Sequence, residues 1–350
     1  MKLIILILSI FLFLPTVVIS ADGVQRLYIL NSSSDDVAVV DVATNEVIDS
    51  IKVGPRPHGL ASPASQDVLY VATEEDSGLA VIDLINSKLV AHLLVLGERP
   101  HEIEITPDGR YVYIPANKDG KYEVFDTEKE TIITRIPVDG GPHNVVVSPD
   151  GRYMYLSPLN RPKNPDLEKE KTLGALESRN IYIVDAATHS VVDKIPLENA
   201  PRPTVISPDG KRLYVNTDSL LGFVVIDIES RKVISTAEYE LTAEERASPS
   251  RSHGIAVTPD GKEVWSTDIN HSLVHVFDVT GNQPKQIARI ETGKQPLWVT
   301  ITPDGKTVYI SNRADDNVSV FDVATKQEIT RIQLEKGKNP QRIQVVTVPL

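Results

Sequence analysis

Cysteine is absent from all 350 residues. That single absence excludes a disulfide framework, thiolate zinc sites, iron-sulfur clusters, covalent c-type haem attachment, a cysteine nucleophile and an acylated N-terminal cysteine anchor. Tryptophan occurs twice and aromatic residues make up 5% of the chain. Basic residues are outnumbered by acidic ones, for a formal charge of −12, so the long-range field repels phosphate backbones and anionic lipid surfaces. With no local basic patch in the sequence, no nucleic-acid partner is expected. Catalytic signatures are missing too: there is no Gly-x-Ser-x-Gly elbow, no glycine-rich phosphate loop ending in Gly-Lys-Ser/Thr, and no His-Glu-x-x-His pair.

Long apolar runs are confined to the start. Leu3 to Leu14 forms an apolar core of about twelve residues behind Lys2, with Pro15 and small residues following, which is short of the roughly 18 to 20 residues that span a bilayer. Residues 1–20 therefore read as a secretory signal peptide. The expected location is periplasmic or secreted, with no membrane contact after cleavage. An uncleaved anchor is the alternative.

What the chain has is a repeat. Arg99 to His143 contains four short apolar runs, His101–Thr106, Tyr111–Pro115, Tyr122–Phe125 and Ile132–Val138, separated by turn-forming residues. The first turn is Pro107-Asp108-Gly109. Proline presets its first central dihedral, aspartate bonds local backbone and glycine supplies positive φ. The tripeptide recurs at Pro149, Pro208, Pro259 and Pro303, with a remnant at Pro63–Asp67, at spacings of 44, 42, 59, 51 and 44 residues. A four-strand unit of this length predicts an all-β propeller.

Seven strand openings precede or substitute for these turns: RPHGLAS, RPHEIEIT, GPHNVVVS, APRPTVIS, SRSHGIAVT, KQPLWVTIT and KNPQRIQVV. The last, Gln341–Val348, has no strands after it, whereas Leu27–Leu30, Val37–Asp41 and Val47–Val53 have no opening strand before them. The two parts complete one another. Seven four-stranded blades are expected, closed by the C-terminal inner strand joining the N-terminal three, so that no sheet edge is left unpaired at the seam. Residues 21–350 form one domain on this reading, and a monomer is expected.

Leu69-Tyr-Val-Ala-Thr, Leu213-Tyr-Val-Asn-Thr and Val308-Tyr-Ile-Ser-Asn, each after the turn and before a Val-x-Val-x-Asp-type strand, resemble the YVTN family of propeller repeats. The overall texture is similar to secreted bacterial members found beside quinone-cofactor alcohol oxidation. Quinone-cofactor dehydrogenases carry a tryptophan docking motif in every blade, and Trp265 with Trp298 falls far short of that. Lactonase propellers share the turn, but their Arg-His pairing is not reproduced, because Arg202 lies between two prolines.

Candidate site residues follow from register. The residues after the opening proline, or after the Ser252 that replaces it, are His58, His101, His143, Arg202, His253, Leu297 and Gln341, and equivalent positions must share one mouth of the channel. His58, His101, His143, Arg202, His253 and Gln341, with Glu102 and Trp298, make the expected ligand-binding set. His58, His101, His143 and His253 are also the candidate ligands for zinc or copper, since imidazole suits these ions. The structural alternative is that each ring bonds the backbone of a neighbouring blade. Glu102 and Glu104 put carboxylates near the axis, where a cation, a basic neighbour or channel water must offset their burial, water being the favoured of the three. Insertions at 158–180 and 240–252 fall on the same face, which marks it as functional. Glu74, Asp218 and Asp268 on that rim read as ordinary turn acids. The expected function is binding of a protein partner or small ligand without chemistry. The alternative is a lactone hydrolase or a metal-dependent enzyme acting at the histidines.

Overall fold

A computed structural model describes residues 23–94, 96–160 and 177–350. The leading segment read as a signal peptide, and most of the 158–180 insertion, lie outside these residues. The described residues form seven four-stranded antiparallel sheets. Blade 1 is closed as expected: Pro340–Pro349 pairs with Gly23–Asn31, in register from Gly23 opposite Pro349 to Ile29 opposite Ile343, with a shift before Asn31 opposite Pro340.

The turn residues explain the blades locally. Thr106 Oγ1 donates to Asp108 Oδ1 at 2.6 Å, and the same carboxylate accepts from Arg110 N at 3.0 Å while Gly109 sits at φ 75°. Ser148 and Asp150, Ser207 and Asp209, Thr258 and Asp260, and Thr302 and Asp304 repeat the contact. In the degenerate copy Gln66 takes the left-handed position itself, at φ 53°.

Middle strands bury both faces, as Leu69–Ala72 and Val112–Ile114 show, so seven apolar clusters form, each filled from two adjacent blades. Burying each large aliphatic or aromatic side chain there contributes roughly 1.5–3 kcal/mol, and the clusters are what hold the ring together. Outer strands such as Glu46–Lys52 are mostly exposed, while inner strands are crowded. A Cβ on Gly59 would lie 2.0 Å from the His101 carbonyl oxygen of the next blade, and one on Gly254 would lie 2.6 Å from that of Leu297. Only glycine permits that approach.

One expected strand is shorter than the pattern suggests. Of His101–Thr106 only Glu104–Ile105 pairs as a strand, with an isolated bridge between Pro100 and Ala116. The Glu102 N–H leaves its own blade and donates to His143 O of the next at 3.2 Å. This turns the Glu102 carboxylate inward.

Candidate functional site

The mouth histidines sit where the ladder breaks. Register shifts fall between Pro57 and Gly59, Gly141 and Asn144, Pro201 and Thr204, Ser252 and Ile255, and Pro296 and Trp298. His58, His143, Arg202, His253 and Leu297 are the residues inside those irregularities. A proline at the opening has no N–H to give the ladder, and a bulge re-aims the side chain beside it. The repeated Pro-x is thus a device for aiming one side chain per blade at the axis.

Four rings follow one another around the mouth. His58 and His101 have centroids 3.8 Å apart, His101 and His143 4.4 Å, and His143 and His253 6.2 Å. Trp298 lies 5.8 Å beyond His253, and the Arg342 guanidinium stacks 4.0 Å over the indole. Arg342 also binds Glu102, whose other oxygen is 3.4 Å from His58 Nε2, which completes the circuit. The counter-charge of Glu102 comes from a basic neighbour, the Arg342 guanidinium of blade 1, where channel water was the favoured expectation.

Electrostatics divide the mouth in two. On the histidine side, burial holds the His101 ring well below the usual imidazole value, helped by the neighbouring His58 and His143 rings. Burial does the same to His143, with His253 adding to it and Glu102 opposing it. His253 is brought down to about 4 by burial, although Glu102 and the Leu297 carbonyl pull upward. These three rings are neutral at pH 7. Burial would raise Glu102, but Arg342 and His58 more than offset it and hold the carboxyl at about 2. Glu104, deeper in the channel, is raised by burial.

On the other side stand arginines. Arg202 Nε donates to Asp218 Oδ1 at 2.5 Å, and Arg313 Nε to Gln295 Oε1 at 3.2 Å. Arg251 is lowered from the usual guanidinium value by burial and then by the positive charges of Arg202 and Arg313. Asp218 N, Ile269 N and Arg313 N donate to the carbonyls of Ala200, Arg251 and Gln295, which sets the three guanidinium-bearing segments in one tier. Both insertions adjoin it: Asn160 accepts from Ser178 N at 2.9 Å beside Asp218, and Ser250 Oγ donates to Asp268 Oδ1 after the capped helix Ala243–Ala247.

Of the expected site residues, His58, His101, His143, His253, Glu102 and Trp298 converge. Arg202 turns to Asp218, and Gln341 is buried with its amide 3.5 Å from Asn339 Oδ1. Backbone anchoring, the structural alternative for every ring, holds for His253, whose Nδ1 is 3.0 Å from Leu297 O. By contrast, His101 Nδ1 and His143 Nδ1 have no hydrogen-bond partner among the described residues. Among the described residues, His58 and His101 gather with Glu74, their ligand atoms all within 4.8 Å of one another, and His143 and His253 are not part of that group.

Glu74 is not an ordinary turn acid. It is 6% exposed and lies 3.4 Å from His58 Nδ1 and 3.6 Å from His101 Nε2. Arg56 Nε approaches its other oxygen at 2.6 Å, and Arg99 Nε is 3.6 Å from the first. A cleft of about 520 Å³ opens beside it, lined by Arg56, Glu74, Arg99 and Lys118 among others. The sequence did carry a signal for the arginines, because Arg56, Arg99 and Arg251 each stand two residues before a mouth histidine.

Fold and site together define a seven-bladed propeller with a polar, histidine-lined mouth. Residues 179–345 match the family model described as lactonase, 7-bladed beta-propeller, and residues 25–144 match the cytochrome D1 heme domain. Curated relatives include antigen Lp49 of Leptospira interrogans, 28% identical over 54% of this chain and 42% of the relative. A 6-phosphogluconolactonase of Photorhabdus laumondii is 23% identical over 58% of this chain and 60% of its own. The matched part is thus less than two thirds of each relative. Among solved structures, the periplasmic gluconolactonase PpgL of Pseudomonas aeruginosa superposes with a TM-score of 0.73 at 17% identity, covering 93% of this chain and 100% of that one. A Kuenenia stuttgartiensis hydrazine synthase chain gives 0.70 at 23%, covering 85% and 92%. The lactonase match and the 6-phosphogluconolactonase relative stand against the expectation of a protein without chemistry. Among the described residues no helix is long and apolar enough to cross a membrane.

Proposed function

We propose that the protein is a lactone hydrolase whose substrate is a sugar lactone carrying a negative charge. One observation carries this reading: neutral imidazoles stand on one side of the mouth and Arg202, Arg251 and Arg313 face one another on the other. Like charges crowded together are costly, and an anionic substrate group relieves that cost while fixing the ring in place. Water then gives a proton to neutral His143, and its oxygen attacks the lactone carbonyl. As the ring C–O bond breaks, the imidazolium returns the proton to the departing alkoxide, leaving a hydroxy acid. Glu102, whose charge favours the protonated form of His143, stabilises the imidazolium in between. The 6-phosphogluconolactonase relative and the lactonase family match support both the reaction type and the anionic substrate. The same proposal places the chain in the periplasm, supported by the apolar segment at residues 3–14 and by the periplasmic gluconolactonase of like fold.

The test is hydrolysis of phosphorylated, carboxylated and neutral sugar lactones by purified protein. His143→Ala is expected to lower kcat by about 10²- to 10⁴-fold, the usual contribution of a general base. Arg251→Ala should raise KM for the anionic lactones and leave that for neutral ones unchanged. Absence of turnover above the His143→Ala background for every lactone overturns the proposal.

A further inference from the structure

We infer that His58, Glu74 and His101 form a three-ligand site for a divalent transition ion of the zinc type, separate from the imidazole assigned to proton transfer. Three observations carry it. The first is a buried carboxylate whose Oε1 makes no hydrogen bond among the described residues. Glu74 is buried, and although Arg56 forms an ion pair with Oε2 at 2.6 Å, neither of its oxygens accepts a hydrogen bond among the described residues. Leaving such a group desolvated is expensive unless a cation completes it.

Geometry is the second. Glu74 Oε1 is 3.4 Å from His58 Nδ1 and 3.6 Å from His101 Nε2, and the three ligand atoms all lie within 4.8 Å of one another. With metal–ligand bonds of about 2.0–2.2 Å, the edge of a tetrahedron is about 3.3–3.6 Å. Both carboxylate-to-imidazole separations are therefore already those of a tetrahedral ion, and only the two nitrogens need to adjust. Three protein ligands leave a fourth position open, as in reactive rather than purely structural zinc sites.

The third observation is the outer support. His58 turns its second nitrogen, Nε2, to Glu102 Oε1 at 3.4 Å, and Glu102 is itself held by Arg342. A carboxylate behind a ligating histidine fixes ring orientation and raises ligand basicity. Arg99 opposes the ion electrostatically, being 3.6 Å from Glu74 Oε1. Its side chain is 44% exposed, so it is free to swing into solvent when a dication arrives, while Arg56 keeps Oε2.

Untagged, chelator-stripped protein titrated with Zn²⁺ by calorimetry, and with Co²⁺ by visible absorption, tests the site without any reference to lactone turnover. One ion per chain is expected, with Co²⁺ bands of tetrahedral intensity. Glu74→Gln and His101→Gln should each weaken binding at least 100-fold, and Glu102→Gln about 10- to 100-fold through the outer support. Arg99→Ala should tighten binding by up to about 30-fold, the bulk-water repulsion between one unit charge and a dication about 4 Å away. His253→Ala should leave affinity and stoichiometry unchanged. No stoichiometric ion in the wild type, or wild-type affinity in folded Glu74→Gln or His101→Gln, overturns the inference. So does loss of the ion in His253→Ala. Ion binding without lactone hydrolysis would refute the hydrolase alone, and the reverse would refute the metal site alone.

Discussion

Replacing Arg342 with methionine isolates what the Glu102–Arg342 pair contributes. Both side chains are nearly inaccessible, at 2% for Glu102 and 13% for Arg342, so solvent screens the interaction little. The Glu102 carboxyl is held at about 2 against an unfolded value of 4.5. At 1.36 kcal/mol per pKa unit that displacement corresponds to roughly 3 kcal/mol, close to the ~3–5 kcal/mol lost when one member of a buried pair is removed. Methionine keeps an apolar stem against Trp298 and takes away the charge. Urea unfolding at pH 7 should therefore show Arg342→Met destabilised by about 3 kcal/mol. The double variant Glu102→Gln with Arg342→Met should recover most of that loss, since no buried charge is then left alone. The sign of the pH effect follows from the direction of the shift. A carboxyl depressed on folding contributes fully above its unfolded value of 4.5, and that contribution disappears as pH falls toward 2. The difference between wild type and Arg342→Met should narrow accordingly below pH 4.5. A single-variant loss under ~1 kcal/mol, or a double variant no better than the single, would refute the reasoning.

Two further outcomes are expected. Because His101, His143 and His253 are depressed on folding, the unfolded chain binds more protons than the native one below pH 6.5. Stability should fall as pH drops from about 6.5 toward 4, by up to ~1.4 kcal/mol per pH unit for each ring, and His253→Asn should flatten the slope; an unchanged slope in unfolding at pH 7, 6 and 5 would contradict this. Deleting residues 339–350 removes the inner strand of blade 1 and exposes the edge of Gly23–Asn31, so the truncated chain should aggregate or be cut rapidly by protease, whereas a soluble monomer with unchanged melting would contradict the closure.

The architecture was legible because it rests on local chemistry repeated many times. Pro107-Asp108-Gly109 specifies its own turn, and seven openings with a missing start and a surplus end specify both blade number and closure. The site was legible only as far as register reaches. His58, His101, His143 and His253 had to share a mouth, but the bulge that aims them is a property of paired strands and has no letter of its own. Glu74 looked like a loop acid because its partners come from two different inner strands. Arg342 lies 240 positions from the carboxylate it neutralises, so nothing near Glu102 announced it. Side-chain neighbours assembled across blades are set by ring closure, which no single repeat encodes.

That closure has a kinetic side. Lys338 Nζ meets Asp36 Oδ2 at 2.7 Å across 302 positions of chain, and Asn339 Nδ2 meets Ser33 Oγ at 3.0 Å across 306. The three N-terminal strands of blade 1 hold an unsatisfied edge until the other six blades have followed them. Loop-closure entropy grows only as the logarithm of length, so the equilibrium cost of this wait is modest. The rate is another matter, since pairing of such sequence-distant strands is slow and leaves sticky edges exposed meanwhile. Among the seven blades, blade 1 is thus begun first and finished last, and its N-terminal strands are the part of the ring in greatest need of protection from other chains while it forms.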